Sequence, residues 1–358
     1  GIRDYKVTGV QTCALPIWTR LFLRTSEFLW QEGHTAHATA EEAEEETLMI
    51  LDVYRTFMEE WIGMPPITGL KSESEKFAGA VRSYSCEALM QDNKALQAGT
   101  SHFLGQNFAR QFDLKFQSEE GHEEYAWNTS WGVSTRLIGG MVMTHGDDNG
   151  LIVPPRLAPV QVVIVPILKG DNPSAVLEKV DEIAGRLKAA GVRVKVDARD
   201  NLSPGAKYYE WERKGVPFRL EIGPKDLEKG SVALARRVVP EGEKRKTFVP
   251  EDQAVADMPE LLETFQFELR DAAKARREAN TVRGVKTLDE LEDALDGGAG
   301  FVFTGWNGDP AVEEAVKERT KATIRCLPGE EFRSADSPSG CVSGTGDAVT
   351  EVAWARAY

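Results

Sequence analysis

Residues Phe22 to Thr39 read FLRTSEFLWQEGHTAHAT. Charged and apolar residues alternate around its start, with Arg20, Arg24 and Glu27 among Leu21, Phe22, Leu23 and Phe28, so residues 19–29 are expected to form a strand pair. Side chains two apart share a strand face, which groups Arg24 with Trp30, Glu32 and His34. An arginine there can grip a phosphate with two parallel hydrogen bonds, and a Trp face can cover a small apolar ring. A cross-strand ion-pair network explains the same residues equally well. The stretch ends on Thr39, which forms a capping box with Glu42, and the acidic run Glu41 to Glu46 lies at the positive end of the helix dipole. Ile50, Val53, Tyr54, Phe57, Met58 and Trp61 recur at three- and four-residue steps and are expected to face the core. Gly63 and Pro65-Pro66 then end the helix.

Upstream, GIRDYKVTGVQTCALPIW (Gly1 to Trp18) has neither helical nor strand periodicity and is expected to be an artefact segment foreign to the rest. Downstream, residues 72–90 are expected to form a turn and helix, 93–113 a strand and helix, and 127–136 a strand. After Pro154-Pro155 the texture changes. The β-branched run 161–167 suits a buried parallel strand, a helix follows from Asn172-Pro173, and strands are expected at 192–196, 216–222 and 231–236. A second long helix is expected at about 258–279, short helices at 288–295 and 311–318, and strands at 300–304 and 349–358.

The chain has 358 residues, of which 41% are hydrophobic and 28% charged, which excludes collagen-like, disulfide-scaffold and wholly disordered classes. No run of apolar residues is long enough to span a membrane. The net charge of −14 and pI near 5.0 give no general attraction to nucleic acid, so any such binding needs a local basic patch. One is offered by Arg236, Arg237, Lys244, Arg245 and Lys246, with a solvated loop as the alternative. The four cysteines are far apart and irregularly spaced, which with the lack of a signal segment points to a cytoplasmic location.

Three more clusters carry chemistry. Leu96 to His102 (LQAGTSH) combines small residues, which let a ligand approach the backbone, with donors and acceptors on Gln97, Thr100 and His102; a polar turn is the plain alternative. Trp131 to Arg136 (WGVSTR) is a glycine-bearing strand ending in arginine, and Thr144 to Asp148 (THGDD) has the texture of a loop. No GxxxxGK[ST], GxGxxG, GxSxG, HExxH or paired CxxC occurs, which disfavours P-loop and dinucleotide-binding folds.

With these segments assembled, the sequence resembles the prolyl-tRNA synthetases of the archaeal/eukaryotic-like type, a class II ligase family. FLRTSEFLWQEGHTAHAT resembles motif 2, EKFAGA (Glu75 to Ala80) and LQAGTSHFLGQNFA (Leu96 to Ala109) the central segments, and WGVSTR motif 3. MTHGDDNGLIVPPRLAPVQVVIVP (Met143 to Pro166) resembles the join to the anticodon-binding domain, and GVPFRLEIGPKDLEKG (Gly215 to Gly230) lies inside it. The resemblance implies an α/β architecture: a truncated class II antiparallel-sheet catalytic core at 19–153, an α/β anticodon-binding domain at 154–256 and a small C-terminal α/β domain at 257–358.

It also implies a reaction, in which ATP activates L-proline to prolyl-adenylate and the prolyl group passes to the 3′ end of tRNA(Pro). Arg24 and Thr25 are then ATP contacts, with Arg24 on the phosphates, and Gln97 and Thr100 lie on the adenosine side. Ser134 and Arg136 form the motif 3 group, with Arg136 on the phosphates, so that Arg24 and Arg136 are the catalytic pair. Trp30, His34, Phe77 and His102 line the proline pocket, and Mg²⁺ accompanies ATP. A homodimer is implied for the full-length enzyme. Motif 1, the Thr-x-Glu loop and the Arg-Trp-Glu of motif 2 all belong before Thr19, so this chain is expected to activate proline inefficiently. Where zinc-bearing relatives have four cysteines, Asn307, Val312 and Gly344 stand beside Cys341, so no zinc is expected. Two other readings are a tRNA-binding remnant without catalysis and a class II ligase of the threonyl type; the Trp30 and Phe77 pair argues against the latter.

Overall fold

The computed structural model describes residues 21–169, 172–336 and 338–358. The expectations for Gly1 to Trp18 and for Arg20 lie outside the described residues. The catalytic part comprises β1 (Trp30–His37), α1 (Ala40–Thr56), β2 (Ile67–Leu70), β3 (Arg82–Leu89), β4 (Ala95–Gly105), α2 (Asn107–Phe112), β5 (Lys115–Gln117), β6 (Glu123–Tyr125), β7 (Trp127–Ser134) and α3 (Arg136–His145). The middle part comprises β8 (Val162–Pro166), α4 (Pro173–Ala189), β9 (Val194–Val196), α5 (Pro204–Arg213), β10 (Phe218–Ile222), α6 (Pro224–Lys229), β11 (Ser231–Arg236), β12 (Lys246–Pro250) and α7 (Glu251–Ala279). The last part comprises β13 (Thr281–Val285), α8 (Leu288–Asp296), β14 (Phe301–Trp306), α9 (Pro310–Thr320), β15 (Thr323–Pro328) and β16 (Thr350–Ala355).

The catalytic and last parts share one sheet, in the order β1-β7-β4-β3-β2-β15-β16-β14-β13, antiparallel except for the parallel β13–β14 pair. The seam is β2–β15, where Leu327 pairs Leu70 and Pro328 pairs Gly69. Gly69 has to be glycine, since a Cβ there would run into the Leu327 carbonyl. The middle part has its own sheet, β12-β11-β10-β8-β9, whose parallel pairs β10–β8 and β8–β9 are covered by helices, as the uniformly apolar strand β8 requires.

Several expectations are corrected. Residues 21–29 form a turn and coil rather than a strand pair; Phe22 adopts φ 60°, and Leu21, Phe28 and Leu29 stay exposed. Residues 82–89 form strand β3, not a helix, because the small and apolar side chains of RSYSCEAL are buried between β2 and β4. The first helix forms with its Thr39–Glu42 capping box intact. Tyr54 and Met58 face the core as expected, with Ile50 packed beside them and Ala43, Thr47 and Leu51 completing the buried stripe, whereas Val53, Phe57 and Trp61 face outward. Helix α7 begins seven residues earlier than expected, at Glu251; β2, β5, β6, α3, α5, α6, β12, β13 and β15 were not anticipated, and Thr144 and His145, read as loop, end α3.

Among the described residues no helix is long and apolar enough to cross a membrane. Thr39→Ala should lower the unfolding free energy by about 1 kcal/mol. A urea unfolding curve with an unchanged midpoint would show that the capping box does not hold this helix.

Candidate active site

The sheet's concave region around β1, β4 and β7 holds a cavity of about 380 Å³ lined by Trp30, Glu32, Lys71, Glu75, Phe77, Ser83, Gln97, Thr100, His102, Ser130, Trp131 and Gly132. Strand alternation puts these residues there. Trp30 and Glu32 come from one face of β1, Thr100 and His102 from one face of β4, and Gly132 pairs both Glu32 and Thr100 across β7. Five of the ten residues proposed from the sequence line this cavity: Trp30, Phe77, Gln97, Thr100 and His102.

Phe77 sits between two rings, 5.1 Å from His102 and stacked 6.4 Å from Phe108. Ser83 on β3 ties the group together. Its Oγ lies 2.8 Å from His102 Nδ1 and accepts the Phe77 amide hydrogen at 3.1 Å. Burial pushes the His102 imidazole down to about 4, so it is neutral near pH 7. His34 lies in an adjoining apolar cavity of about 340 Å³, which shares Glu32, Phe77 and Ser130 with the first, and its Nε2 is 3.3 Å from Glu32.

Arg24 and Arg136 are brought together from opposite ends of the motif-bearing segments. The turn carrying Leu23 packs on Gly139 of α3, where a side chain would collide with Leu23. Arg136 at the start of α3 donates through Nε to the Leu23 carbonyl at 3.0 Å and through Nη1 to the Gln97 carbonyl at 3.4 Å. Ser134 Oγ accepts the Arg136 amide hydrogen at 3.2 Å. Burial, then repulsion from Arg24, lower the affinity of Arg136 for its proton. Arg136 thus stands at the N-terminus of α3 with Nε and Nη1 committed to backbone carbonyls, while Arg24 stays exposed. Thr25 follows Arg24 and is half-buried.

Three comparisons bear on this geometry. Family models match residues 18–145 as a tRNA synthetase class II core domain (G, H, P, S and T), 161–261 as an anticodon binding domain, and 288–358 as the C-terminal domain of prolyl-tRNA synthetase. Proline–tRNA ligase of Chloroflexus aurantiacus is 54% identical over 342 residues, which is 95% of this chain and 70% of that protein. The same enzyme of Roseiflexus sp. strain RS-1 is 53% identical over the same shares. The chain belongs to the proline–tRNA ligase family. A crystal structure of prolyl-tRNA synthetase from Cryptosporidium parvum, complexed with L-proline and AMP, superposes with a TM-score of 0.87 at 40% identity, covering 95% of this chain and 71% of that one. The class II core of the family accounts for the antiparallel sheet that carries the cavity.

The four-cysteine zinc site expected of zinc-bearing relatives does not fit the residues present. Asn307 donates to the Thr345 carbonyl at 3.1 Å, Val312 is buried in the apolar core, and Gly344 turns with φ 74°. None offers the thiolate or imidazole that zinc requires. Four of the five cations in the basic cluster near residue 240 are ion-paired. Arg236 pairs with Glu268, Arg237 with Asp147 at 2.5 Å, Arg245 with Glu212 at 2.5 Å, and Lys246 with Glu221. Lys246 also lines a cavity of about 660 Å³ with Lys169, Lys225, Lys229 and the exposed ring of Phe248, and among the described residues those three lysines have no ion pair.

Sequence reading missed Lys71, Glu75 and Ser83. Lys71 directly follows the apolar strand β2, and Glu87 lies in the small and apolar run SYSCEAL of β3, and a charge at such a place is the signal that marks each. His102 should stay neutral through mildly acidic pH. Its ring-proton NMR shift should hold steady down to about pH 5 and move only near pH 4, well below the ordinary imidazole value of about 6.5. A midpoint at that ordinary value would contradict the buried placement.

Proposed function

We propose that this chain activates L-proline with ATP and transfers the prolyl group to the 3′ end of tRNA(Pro). The observation that carries the reading is the joining, in one sheet region, of an aromatic cavity with an arginine pair. Trp30, Phe77 and His102 suit the hydrocarbon ring of proline, and His34 borders it through Glu32 and Phe77. Gln97 and Thr100 are the adenosine-side contacts. Arg24 and Arg136 take the phosphates, with Thr25 and Ser134 beside them.

In the first step a proline carboxylate oxygen attacks the α-phosphorus of ATP, forming the acyl-phosphate bond as the bond to the β-phosphate oxygen breaks and pyrophosphate leaves. In the second, a ribose hydroxyl of the tRNA's terminal adenosine attacks the prolyl carbonyl carbon and AMP leaves. The protein's work is positioning and charge neutralisation, which can supply several kcal/mol of the barrier. The neutral His102 packs against Phe77 without adding positive charge to the cavity. Mg²⁺ is expected with ATP. It would neutralise phosphate charge when bound.

The tRNA reading is supported by the cavity around Lys169, Lys225, Lys229 and Phe248, where cations can meet phosphates and an exposed ring can stack on an unpaired base. The division at 19–153, 154–256 and 257–358 belongs to the same proposal. It is supported by the separate middle sheet, although α7 crosses 256/257 and β15 joins the last part to the catalytic sheet. A homodimer and a cytoplasmic location complete the reading.

Arg136→Ala should reduce proline-dependent ATP–pyrophosphate exchange by about a hundredfold or more and leave tRNA binding within experimental scatter. Exchange equal to that of the unaltered protein would remove Arg136 from the phosphate site. For the zinc-free C-terminal domain, a metal chelator should leave the thermal midpoint where it was; a marked fall would mean that a metal holds the domain.

A further inference from the structure

Lys71 follows β2 and lines the cavity, yet its side chain is only 2% exposed. Its ammonium makes one hydrogen bond among the described residues, to Glu87 Oε1 at 2.9 Å, and has two more protons to donate. Glu87 is fully buried, and its second oxygen is held by the fork of Arg325, with Nε at 2.9 Å and Nη2 at 2.8 Å. Burial alone would raise the Glu87 carboxyl, but Arg325 and Lys71 outweigh it and hold the group below the usual carboxylate range. Two cations therefore share the one buried carboxylate of Glu87 in a place largely closed to water, with Glu75 close enough to raise Arg325, and the Lys71 end of the group lies at the cavity wall. Glu32 and Glu75 line the same cavity without bonding to Lys71, so the cavity offers both charge signs to a ligand that carries both.

We propose that Lys71 holds an anionic oxygen of the substrates, a carboxylate of proline or a phosphate of ATP, and that Arg325 is the positioning residue that sets it there through Glu87. This rests on the ligase reading above, whose cavity it uses. The reasoning is geometric. A lysine ammonium on four rotatable carbons has no fixed direction of its own, and Glu87 supplies one only while its other oxygen is pinned. Arg325 pins it with a planar two-point contact from β15, in the C-terminal part, 238 residues away in sequence. Without Arg325 the carboxylate is free to take the ammonium with both oxygens and draw it off the cavity. The same segment is gripped twice more from the C-terminal side, by Glu313 accepting from Ser72 Oγ at 2.9 Å and by the Gly329 amide donating to the Thr68 carbonyl at 2.9 Å. The C-terminal part thus governs the charge presented to the substrate although the cavity's lining is drawn from residues 30–132.

Titration calorimetry on the full chain tests this with two ligand pairs, proline against prolinol and, with Mg²⁺ present, ATP against adenosine. Each pair differs in the anionic group. Lys71→Met should lower the affinity ratio within one pair by about tenfold or more, the worth of a hydrogen bond to a charged group, and leave the affinity for that pair's member without the anion, prolinol or adenosine, unchanged. A fall in the proline pair assigns Lys71 to the carboxylate, and a fall in the ATP pair assigns it to phosphate. Arg325→Met, together with Glu87→Gln so that no bare carboxylate is left buried, should lower the same ratio. Arg325→Lys alone should restore part of it. Unchanged ratios in Lys71→Met overturn the role of Lys71, and a loss of all four ligands alike in the Arg325 variants overturns the positioning role. An unaltered chain that binds neither proline nor ATP overturns the ligase reading and this inference together.

Discussion

One buried carboxylate, Glu87, is the constraint around which the catalytic and C-terminal parts are arranged. A charged group with no exposed surface has to be paired on both oxygens, and its partners come from opposite sides of the β2–β15 seam. Lys71 lies beyond the end of β2 and Arg325 is on β15, so the strands that meet at Gly69 and Leu327 have one register that satisfies the charge. Breaking such a pair by removing one partner typically costs about 3–5 kcal/mol, while the intact pair adds little net stability. Its value is in deciding which surfaces meet. The apolar side chains along the seam, including Ile67, Phe303, Cys326 and Ala353, then supply the packing.

The middle part was the most legible from sequence, because parallel strands under helices are apolar on both faces and need no periodicity argument. Val162 to Pro166 is that case, and Asn172 with Pro173 marks the following helix start as expected. The catalytic sheet was harder. Strand β3 carries Ser83, Ser85, Cys86 and Glu87 where a strand signal would have branched or aromatic residues; it is largely buried, and Ser83 and Glu87 bond to His102, Lys71 and Arg325. The first helix shows the limit of periodicity. Two adjacent stripes are apolar, and only packing against β4 and β7 selects the one through Leu51, Tyr54 and Met58.

The site shows the same division. Local clusters named Gln97, Thr100 and His102 but left each of them open to a plain structural reading, because the cavity is assembled from β1, β3, β4, β7 and the segment after β2. The family motifs supplied the connection that spacing alone could not. Lys71 and Ser83 escaped because their partners, Glu87 and His102, lie 16 and 19 residues away across strand pairs. Arg237 shows the reverse error. It looked like part of a surface patch, yet it is buried and locks Asp147 and the Leu151 and Glu212 carbonyls at the join between the two parts.

The ligase reading stands or falls on which amino acid the aromatic cavity accepts. Amino-acid-dependent ATP–pyrophosphate exchange, run side by side with proline and threonine, measures that directly. Exchange with proline should exceed that with threonine by about a hundredfold or more. Exchange that threonine supports as well as proline would contradict it.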